Sequence, residues 1–490
     1  ENQYRRMGFG NSSFKGLAAK FRNKIQKSLS TYHFTKDELG VISALLLGQR
    51  QDISKELLTD YQKAGAIHIL AVSGLHVGVL LWMLSFLFQP IERLPYGKFL
   101  KAIVIVLLLW GFAFIAGLSA SVVRAVTMFT FLAIGQSFQR KHVVTYSLIA
   151  SMFFLLLIKP MFIFDVGFQL SYLAVFGIVW LQPKLYGVWK PTFIWVRFFW
   201  QLCTVSIAAQ VVIFPISIYY FHQFPSLFLA SNLVIIPCLM YILIGGVVLI
   251  FLALFQLLPQ FFAEGYGFVI SLMNHFVSFI SKQEQFLIKE ISLSIGMMLA
   301  WYVVIIFTTQ FLIHKKVNNA LFFLSSIVIF QCIFLFEFIE NKNQKEWIVF
   351  HKSRKSIIGK RIGKTLFLEH NIDTQQIKDD YSLRSYRFSE NIATIHQTRF
   401  NNFMYFQDTK ILLVDRLGVY KIKGLEKPIL VLQNSPKINL QRLIQYLDPI
   451  QIVADGSNYR SDTERWKFIS AKHQVPFHYT GEKGAFILKY

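Results

Sequence analysis

An almost unbroken series of apolar runs of bilayer-spanning length occupies residues 66–339 of this 490-residue chain. Few ionisable groups lie deep inside these runs, and the main ones are His68, His76, Arg124 and Asp165. With 54% hydrophobic residues, 50 phenylalanines and a mean hydropathy of +0.46, the chain carries too much apolar surface for one soluble core. The sequence therefore predicts a polytopic α-helical membrane protein. A charge at mid-bilayer costs about 3 kcal/mol on insertion scales, so the few ionisable groups are candidates for function.

Apolar runs of about 17–25 residues predict the membrane spans. We predict about ten spans, at residues 66–88, 99–118, 121–138, 143–158, 161–181, 194–221, 227–256, 261–281, 291–313 and 319–339. Pro215 and Pro237 are expected to kink the sixth and seventh spans, since each removes a backbone donor inside an apolar run. Residues 66–339 thus form the predicted transmembrane domain.

The region before it, residues 1–65, is polar and basic. An apolar stripe at helical spacing, surrounded by basic residues, consists of Phe14, Leu17, Phe21, Ile25 and Leu29. The pattern suits a cationic helix on a membrane surface and, equally, an ordinary amphipathic helix packed on the rest of the protein. A second helix is predicted for residues 35–50. Because the chain begins at Glu1 without a methionine or a signal-peptide pattern, we expect a fragment.

The short loops between spans differ in their content of Lys and Arg, which predicts topology. One set of alternate loops carries Arg93, Lys98, Arg140, Lys141, Lys184, Lys190, Lys315 and Lys316. The opposite set carries only Lys159, Lys282 and Lys289. We therefore expect the first set to be cytoplasmic, which places the N-terminal segment and the C-terminal domain on the outer side.

Residues 340–490 return to a soluble composition. Strand-like runs occur at residues 347–350, 365–368, 410–414, 429–432 and 450–454, with helical stretches at 439–447 and 462–473. These elements predict a small soluble α/β domain. Its histidines are scattered, and they are His351, His370, His396, His473 and His478. None belongs to a cluster with metal-ligand spacing, so we expect no metal and no cofactor.

The net charge of +23 is high for so hydrophobic a chain, and it suggests anionic lipid headgroups or a polyanionic ligand as a partner. Charge alone does not choose between these partners. The three cysteines, Cys203, Cys238 and Cys332, all lie in apolar runs, which excludes a disulfide framework and a CxxC metal site.

The segment HILAVSGLHVG, residues 68–78, opens the first predicted span. Its spacing predicts that Ser73 and His76 lie on one helical face, and Gly74 allows close approach of another backbone. Such a polar start suits the lining of a pore, with His68 as a further member. It also suits a Ser–His nucleophile pair, or two histidines that hydrogen-bond between packed helices.

Two further motifs contain the other ionisable groups, GLSASVVRAVTM at residues 117–128 and FDVGFQLSYLAVFG at residues 164–177. Arg124 in the first cannot deprotonate and must find an anion, carbonyls or water, while Asp165 in the second is the one acid predicted well inside a span. Arg124 and Asp165 could form an ion pair that ties two helices together, or they could contact a ligand directly, and the sequence leaves both alternatives open. Gln169, Ser171 and Asn232 add hydrogen-bonding groups within the spans.

HILAVSGLH, followed by SVVRAVTM and then by FDVGFQLSYLAV, resembles the ComEC competence-protein family, with LLLGQR at residues 45–50 as a further match. The resemblance implies an inner-membrane channel that moves single-stranded DNA into the bacterial cytoplasm in natural transformation. It also implies an N-terminal OB-like domain, which is absent here, and a C-terminal metallo-β-lactamase-like domain. The zinc-binding HxHxDH string of such a domain is missing, so we expect a degenerate domain without nuclease activity.

These observations predict a channel lined by His68, Ser73, His76, Arg124, Asp165, Gln169, Ser171 and Asn232. The predicted partners are membrane lipids, a DNA-receptor protein on the outer side and a cytoplasmic ATPase or helicase, since the chain has no GxxxxGK[ST] phosphate loop. Two other functions stay open. One is a transporter of a small solute or lipid-linked substrate, and the other is an intramembrane hydrolase that uses Ser73 and His76.

Overall fold

The computed structural model describes residues 14–137, 143–289, 291–372, 377, 380–398 and 401–490. Its contacts divide the chain into two compact units. The first consists of residues 1–291 and 305–320, and the second consists of residues 292–304 and 321–490. The second unit therefore joins membrane-helix residues to the C-terminal domain, which differs from the predicted boundary at residue 339. Arg140 and Lys141, used to predict topology, lie outside the described residues.

Three helices precede the predicted membrane region, and they are α1 (Phe14–Leu29), α2 (Lys36–Leu47) and α3 (Lys55–Lys63). Thr35 caps α2 through its side chain, and the Glu38 carboxylate accepts from the Thr35 backbone N–H at 2.9 Å. Gly48, at φ +72°, ends α2 in the left-handed conformation that glycine adopts without strain. The predicted second helix is thus confirmed.

The amphipathic helix α1 packs against the protein. Its residues Ile25 and Leu29 are 2% and 0% exposed, within a core that includes side chains of α2 and α10. The Ser28 hydroxyl donates to the Ala253 carbonyl at 2.6 Å, and Arg22 Nη1 donates to the Ile115 carbonyl at 2.9 Å. Of the two arrangements that the sequence left open, the structure has the packed helix.

Ten helices follow in the part of the chain that the structure describes. They are α4 (Gly74–Leu87), α5 (Gly97–Ile115), α6 (Ala120–Ser137), α7 (Val143–Ile158), α8 (Val166–Tyr186), α9 (Ile194–Phe221), α10 (Phe228–Leu254), α11 (Gln260–Ser281), α12 (Ile295–Ile313) and α13 (Val317–Asn343). Seven of them, α5, α6, α8, α9, α10, α12 and α13, are long and apolar enough to cross a membrane, and α4 and α7 are shorter apolar helices. The predicted polytopic membrane protein with a soluble C-terminal domain is confirmed.

Two predicted boundaries are wrong. The first span was expected to begin at residue 66, but residues 66–73 form turns and α4 begins at Gly74. The fifth was expected to begin at residue 161, but a short 3-10 helix, Pro160–Phe164, precedes α8. In both cases a polar residue caps the helix after an apolar stretch, so hydropathy alone does not mark the start. α9 and α10 continue through Pro215 and Pro237.

Short strands accompany the helices of the first unit. β1 (Gln223–Pro225) pairs antiparallel with β2 (Leu287–Lys289), so the segment after α9 is joined to the segment that follows α11. The Ser226 hydroxyl adds a hydrogen bond of 2.7 Å to the Phe286 carbonyl. These pairings satisfy backbone groups at helix ends, where intrahelical partners are missing.

Two five-stranded sheets make up the described part of the C-terminal domain. The strands are β3 (Lys345–Val349), β4 (Ile357–Ile362), β5 (Thr365–His370), β6 (Thr394–Thr398), β7 (Phe403–Phe406), β8 (Thr409–Val414), β9 (Ile429–Leu432), β10 (Gln451–Ala454), β11 (Phe477–Tyr479) and β12 (Phe486–Lys489). One sheet has the order β12-β3-β4-β5-β6, and the other has the order β11-β10-β9-β8-β7 with β8 to β11 parallel. The helices are α14 (Tyr381–Ser389), α15 (Leu440–Leu447), α16 (Arg460–Lys472) and α17 (Thr480–Lys483).

Three apolar cores define the layers of this domain. Trp347 and Val349 of one sheet pack with Leu413, Val431 and Val453 of the other. A second core lies between the outer face of the β8–β10 sheet and α15 and α16, and a third lies on the β3–β5 sheet beside α14. The result is a sandwich of two sheets with helices on both outer faces. The five predicted strands and both predicted helices are confirmed.

A buried ion cluster joins the end of α13 to the first sheet. Arg361, 0% exposed, donates from Nη1 to Glu390 at 2.5 Å and to Glu346 at 3.4 Å. Its Nη2 donates to Asn341 Oδ1 at 3.0 Å, near the end of α13. Tyr386 also donates to the Glu346 carboxylate. Because the guanidinium is surrounded by acceptors, the charge is compensated where water cannot reach it.

We expect Arg361→Met to destabilise the C-terminal domain by up to about 3 kcal/mol, because buried Glu346 would keep only the exposed Lys489, at 3.1 Å, as a cationic partner. Adding Glu346→Gln to that variant should recover part of the loss. Hydrogen exchange in β4, followed on the detergent-solubilised chain during denaturation, measures the effect, and Arg442→Met on exposed α15 is the control. Equal exchange in Arg361→Met and the control would contradict the assignment.

Asp455 ends β10 and is 0% exposed. Its Oδ1 accepts from the Ser457 backbone N–H at 3.0 Å and from Asn458 Nδ2 at 3.1 Å, while Oδ2 has no hydrogen-bond partner among the described residues. Burial raises the pKa of Asp455 to about 6, and the neighbouring Ser356 and Ser457 only partly oppose this. The folded domain therefore favours the protonated carboxyl.

The raised pKa predicts the pH dependence of stability. Protonated Asp455 contributes its full stability below the ordinary pKa of 3.8, and this contribution is lost as the pH rises through about 6. Asp455→Asn, which stays neutral, should remove this loss, so that the variant gains stability relative to wild type between pH 4 and 7. Thermal unfolding of the C-terminal domain at several pH values tests this. Parallel pH profiles for the two proteins would contradict it.

A ring of five helices as the candidate functional site

The polar start of α4 is a helix cap. Ser73 is the N-cap residue, and its backbone N–H donates to His76 Nδ1 at 3.3 Å while its hydroxyl lies 3.1 Å from the same nitrogen. His76 is 2% exposed, and its Nε2 is buried without a hydrogen-bond partner among the described residues. His68 lies exposed in the preceding turn, with Nδ1 at 3.1 Å from the Gly65 carbonyl.

This geometry bears on the proposed Ser–His nucleophile pair. The Ser73 to His76 distance is within reach for proton transfer, but Nδ1 already accepts from the Ser73 backbone N–H. A general base also needs a group that orients its second nitrogen, and Nε2 has none in the described structure. The arrangement fits a capping interaction in which the imidazole takes the place of the usual Glu or Gln.

Arg124 and Asp165 form an ion pair between α6 and α8. Arg124 Nη1 donates to Asp165 Oδ1 at 3.2 Å, and the same oxygen accepts from the Phe168 backbone N–H at 2.7 Å. The Asp165 carboxylate therefore both caps α8 and neutralises the charge of Arg124. A Cβ on Gly167 would lie 2.9 Å from Arg124 Nη2, so the absence of a side chain there lets the guanidinium reach the helix end.

The two partners differ in exposure. The Arg124 side chain is 9% exposed, whereas the Asp165 side chain is 46% exposed. Asp165 was predicted to lie well inside a span, and this is wrong, because it precedes the first residue of α8. The carboxylate therefore lies at a helix end, where it costs less than at mid-bilayer.

Hydrogen bonds between polar side chains connect α8 to α9 and α9 to α10. The Tyr220 hydroxyl of α9 donates to Gln169 Oε1 of α8 at 3.0 Å. Asn232 of α10 donates to the Ser206 hydroxyl of α9 at 3.5 Å. Each of these side chains finds its partner on a neighbouring helix, as polar groups in a membrane usually do.

Five helices pack in a closed circuit, α4 against α6, α6 against α8, α8 against α9, α9 against α10, and α10 against α4. Glycines permit two of these approaches. A Cβ on Gly78 would lie 3.2 Å from the Phe129 ring of α6, and one on Gly177 would lie 2.8 Å from the Ala208 carbonyl of α9. We call this circuit the five-helix ring.

We call the contact between two neighbouring helices of the five-helix ring a joint. Three joints contain the polar contacts described above, and they are α6 with α8, α8 with α9, and α9 with α10. Among the described residues, helices that are not neighbours in the ring share at most marginal contacts. The other helices of the first unit, including α1, α5, α7 and α11, pack against members of this circuit.

The structure brings together most of the predicted site residues. Asp165, Gln169 and Asn232 belong to joints of the five-helix ring, and Ser73 lies at the start of α4. His76 and Arg124 are buried, and Ser171 on α8 is partly buried. Ser231, beside Asn232, donates to the Ala64 carbonyl at 3.0 Å and thereby ties α10 to the segment before α4.

Sequence reasoning missed Ser206 and Tyr220, which are the partners of Asn232 and Gln169. A serine and a tyrosine are common in apolar helices, so neither stands out in composition. Their positions along α9 could not be matched to α8 and α10 without the packing of the helices. Over the described residues, no group of three or more His, Cys, Asp or Glu side chains is placed to hold a metal ion.

We expect Asp165→Asn to destabilise the chain by about 2–3 kcal/mol, because the buried guanidinium loses its counter-charge while the helix cap is kept. Arg124→Met should cost less, since the half-exposed carboxylate stays hydrated and still caps α8. The double variant should cost less than the sum of the two. Thermal unfolding in detergent measures all three, and strictly additive losses would contradict the pair.

Comparisons with known proteins give matches in both parts of the chain. A family described as competence protein matches residues 45–315, and one described as ComEC C-terminal domain matches residues 347–490. No solved structure matches the chain.

Two curated proteins are similar to this chain. ComE operon protein 3 of Bacillus subtilis is 30% identical over 254 residues, which are 51% of this chain and 31% of that protein. Recombination protein 2 of Haemophilus influenzae is 23% identical over 219 residues, 42% of this chain and 27% of that protein. The matched part thus covers less than a third of either relative. Because the first family match spans more than half of the residues and includes the whole five-helix ring, the chain belongs to the competence protein family.

Proposed function

We propose that the chain moves one strand of DNA across the bacterial cytoplasmic membrane during natural transformation, and that the strand passes through the five-helix ring. The observation that carries this proposal is the closed circuit of helices with polar side chains at three of its joints. Its membership of the competence protein family, and the resemblance to ComEC proteins, support DNA as the substrate.

A polyanionic strand cannot enter hydrocarbon, so it needs a route lined by protein groups that replace its water. The accessible polar side chains of the ring and of the segment before α4 are His68, Ser73, Asp165, Gln169 and Asn232. We assign these to the lining. Arg124 and His76 act from buried positions, where they hold Asp165 and Ser73 in place.

The partners and the topology are part of the same proposal. The excess of Lys and Arg in one set of loops supports a topology with the N-terminal segment and the C-terminal domain on the outer side. A DNA-receptor protein would then deliver the strand from outside. A cytoplasmic ATPase or helicase would pull it, because the chain itself has no phosphate-binding loop.

For the C-terminal domain we propose a role without nuclease chemistry. The sequence lacks the HxHxDH string that a zinc-dependent nuclease of this kind needs. The end of β10 carries Asp455, Ser457 and Asn458, which hydrogen-bond to one another. These bonds stabilise the turn after the strand.

The test is DNA uptake in a transformable strain whose own copy is replaced by the variant. We expect Gln169→Leu and Asn232→Leu each to reduce uptake about tenfold, because an apolar side chain replaces a group that would solvate the strand. Labelled DNA that reaches the cytoplasm measures transport, and the amount of protein in the membrane fraction measures insertion. Phe153→Leu, on the exposed face of α7 outside the ring, is the control.

Normal uptake by both ring variants would contradict the DNA passage. The same strains separate the other functions. An intramembrane hydrolase requires the Ser73 hydroxyl as its nucleophile, so a serine-reactive probe should label Ser73 if the protein is a hydrolase, whereas the channel predicts no labelling. Uptake of DNA by the wild type, together with its loss in the ring variants, also distinguishes the channel from a transporter of small solutes.

A further inference from the structure

An apolar cavity in the first unit is bordered by α4 and α10 of the five-helix ring. It has a volume of about 140 Å³ and is lined by side chains of α1, α2, α4, α5 and α10. Among them are Phe21, Leu46, Val79, Ile115 and Val247. This volume is close to that of cavities that hold a benzene ring, and all lining side chains other than His76 are apolar.

One polar side chain, His76, belongs to the lining of this cavity. Its imidazole Nε2 is buried without a hydrogen-bond partner among the described residues. Because Nδ1 accepts from the Ser73 backbone N–H, the neutral ring carries its proton on Nε2. The cavity therefore contains one donor that needs an acceptor oxygen from a ligand.

The position of the cavity indicates that its ligand comes from the lipid bilayer. Phe21 and Val247 are 40% and 41% exposed, so the cavity borders the outer surface between α1 and α10. The wall is formed where α5 ends at Ile115 and where α4 begins at Gly74. Ends of membrane helices lie at the level of the lipid glycerol and ester groups.

A cation lies beside this entrance. Arg22 of α1 donates from Nη1 to the carbonyl of Ile115, which itself lines the cavity. Its Nε is buried and has no hydrogen-bond partner among the described residues. A guanidinium with an unused donor at the edge of an apolar cavity matches a phosphate group.

We propose that the cavity is a binding site for one anionic phospholipid from the bilayer. An acyl chain enters between Phe21 and Val247, its ester carbonyl accepts from His76 Nε2, and its phosphate pairs with Arg22. The exposed lysines on the other face of α1, Lys20 and Lys24, raise the local concentration of anionic lipid. This site is separate from the DNA passage and does not depend on it.

The bound lipid would act on the ring through His76. The imidazole touches the cavity with Nε2 and holds Ser73 with Nδ1, at the start of α4. α10, which lines the cavity with Leu243 and Val247, is also a ring helix. An acyl chain in the cavity therefore supports two of the five ring helices.

The experiment uses the full chain in nanodiscs of phosphatidylcholine that contain a small fraction of phosphatidylglycerol with a photoreactive group in its acyl chain. We expect cross-links on the peptides of α1 and α4. Val79→Phe, which fills the cavity, should reduce this labelling about fivefold, and Arg22→Gln should reduce it about tenfold. Lys55→Gln, a charge change at an exposed position of α3 outside the cavity lining, is the control and should label as wild type.

Two results would overturn the site. One is unchanged labelling of α1 and α4 in both variants, and the other is equal labelling of all exposed helix faces in the wild type. Competition with unlabelled diacylglycerol tests the phosphate contact. If diacylglycerol competes as well as phosphatidylglycerol, Arg22 has no role in recognition. Because no step uses DNA, failure here leaves the proposed channel untouched, and failure of uptake leaves the lipid site untouched.

Discussion

A polar side chain surrounded by hydrocarbon must find a partner, and this requirement determines how the membrane part of the protein is joined. Arg124 finds Asp165, Gln169 finds Tyr220, and Asn232 finds Ser206. Two of the pairs join consecutive helices, α8 to α9 and α9 to α10, and the first joins α6 to α8 across the intervening α7. Since an unpaired group would cost more than the bond gains, the pairs select one arrangement of the helices among many of similar apolar packing.

The same pairs belong to the ring through which we propose that the DNA strand passes. A channel for a polyanion needs polar groups inside a membrane, and those groups must not bind one another so tightly that the path closes. In the proposed channel, the half-exposed Asp165 beside the buried Arg124 would meet this requirement. The buried partner fixes the position, and the exposed partner stays accessible to water or to a ligand.

Buried polar groups of the soluble C-terminal domain also need partners. Arg361 is enclosed by Glu346, Glu390 and Asn341, so the end of α13 and the first sheet share one buried ion cluster. Asp455 is buried with an oxygen that lacks a partner in the described structure, and burial raises its pKa. The ion cluster around Arg361 stabilises the fold over a wide pH range, whereas Asp455 makes the stability of the domain depend on pH.

Hydropathy and periodicity along the chain were enough to predict the class of fold, the approximate position of each membrane helix and the apolar, buried strands. In the C-terminal domain the sequence analysis missed β4, β6, β7, β11 and β12, which are short, polar or Gly-containing and become strands by pairing with neighbours. The packing of the helices was needed to show that Arg124 pairs with Asp165, that α1 packs on α10 and that five helices close into a ring. These features depend on contacts between residues distant in sequence, and no local pattern contains them.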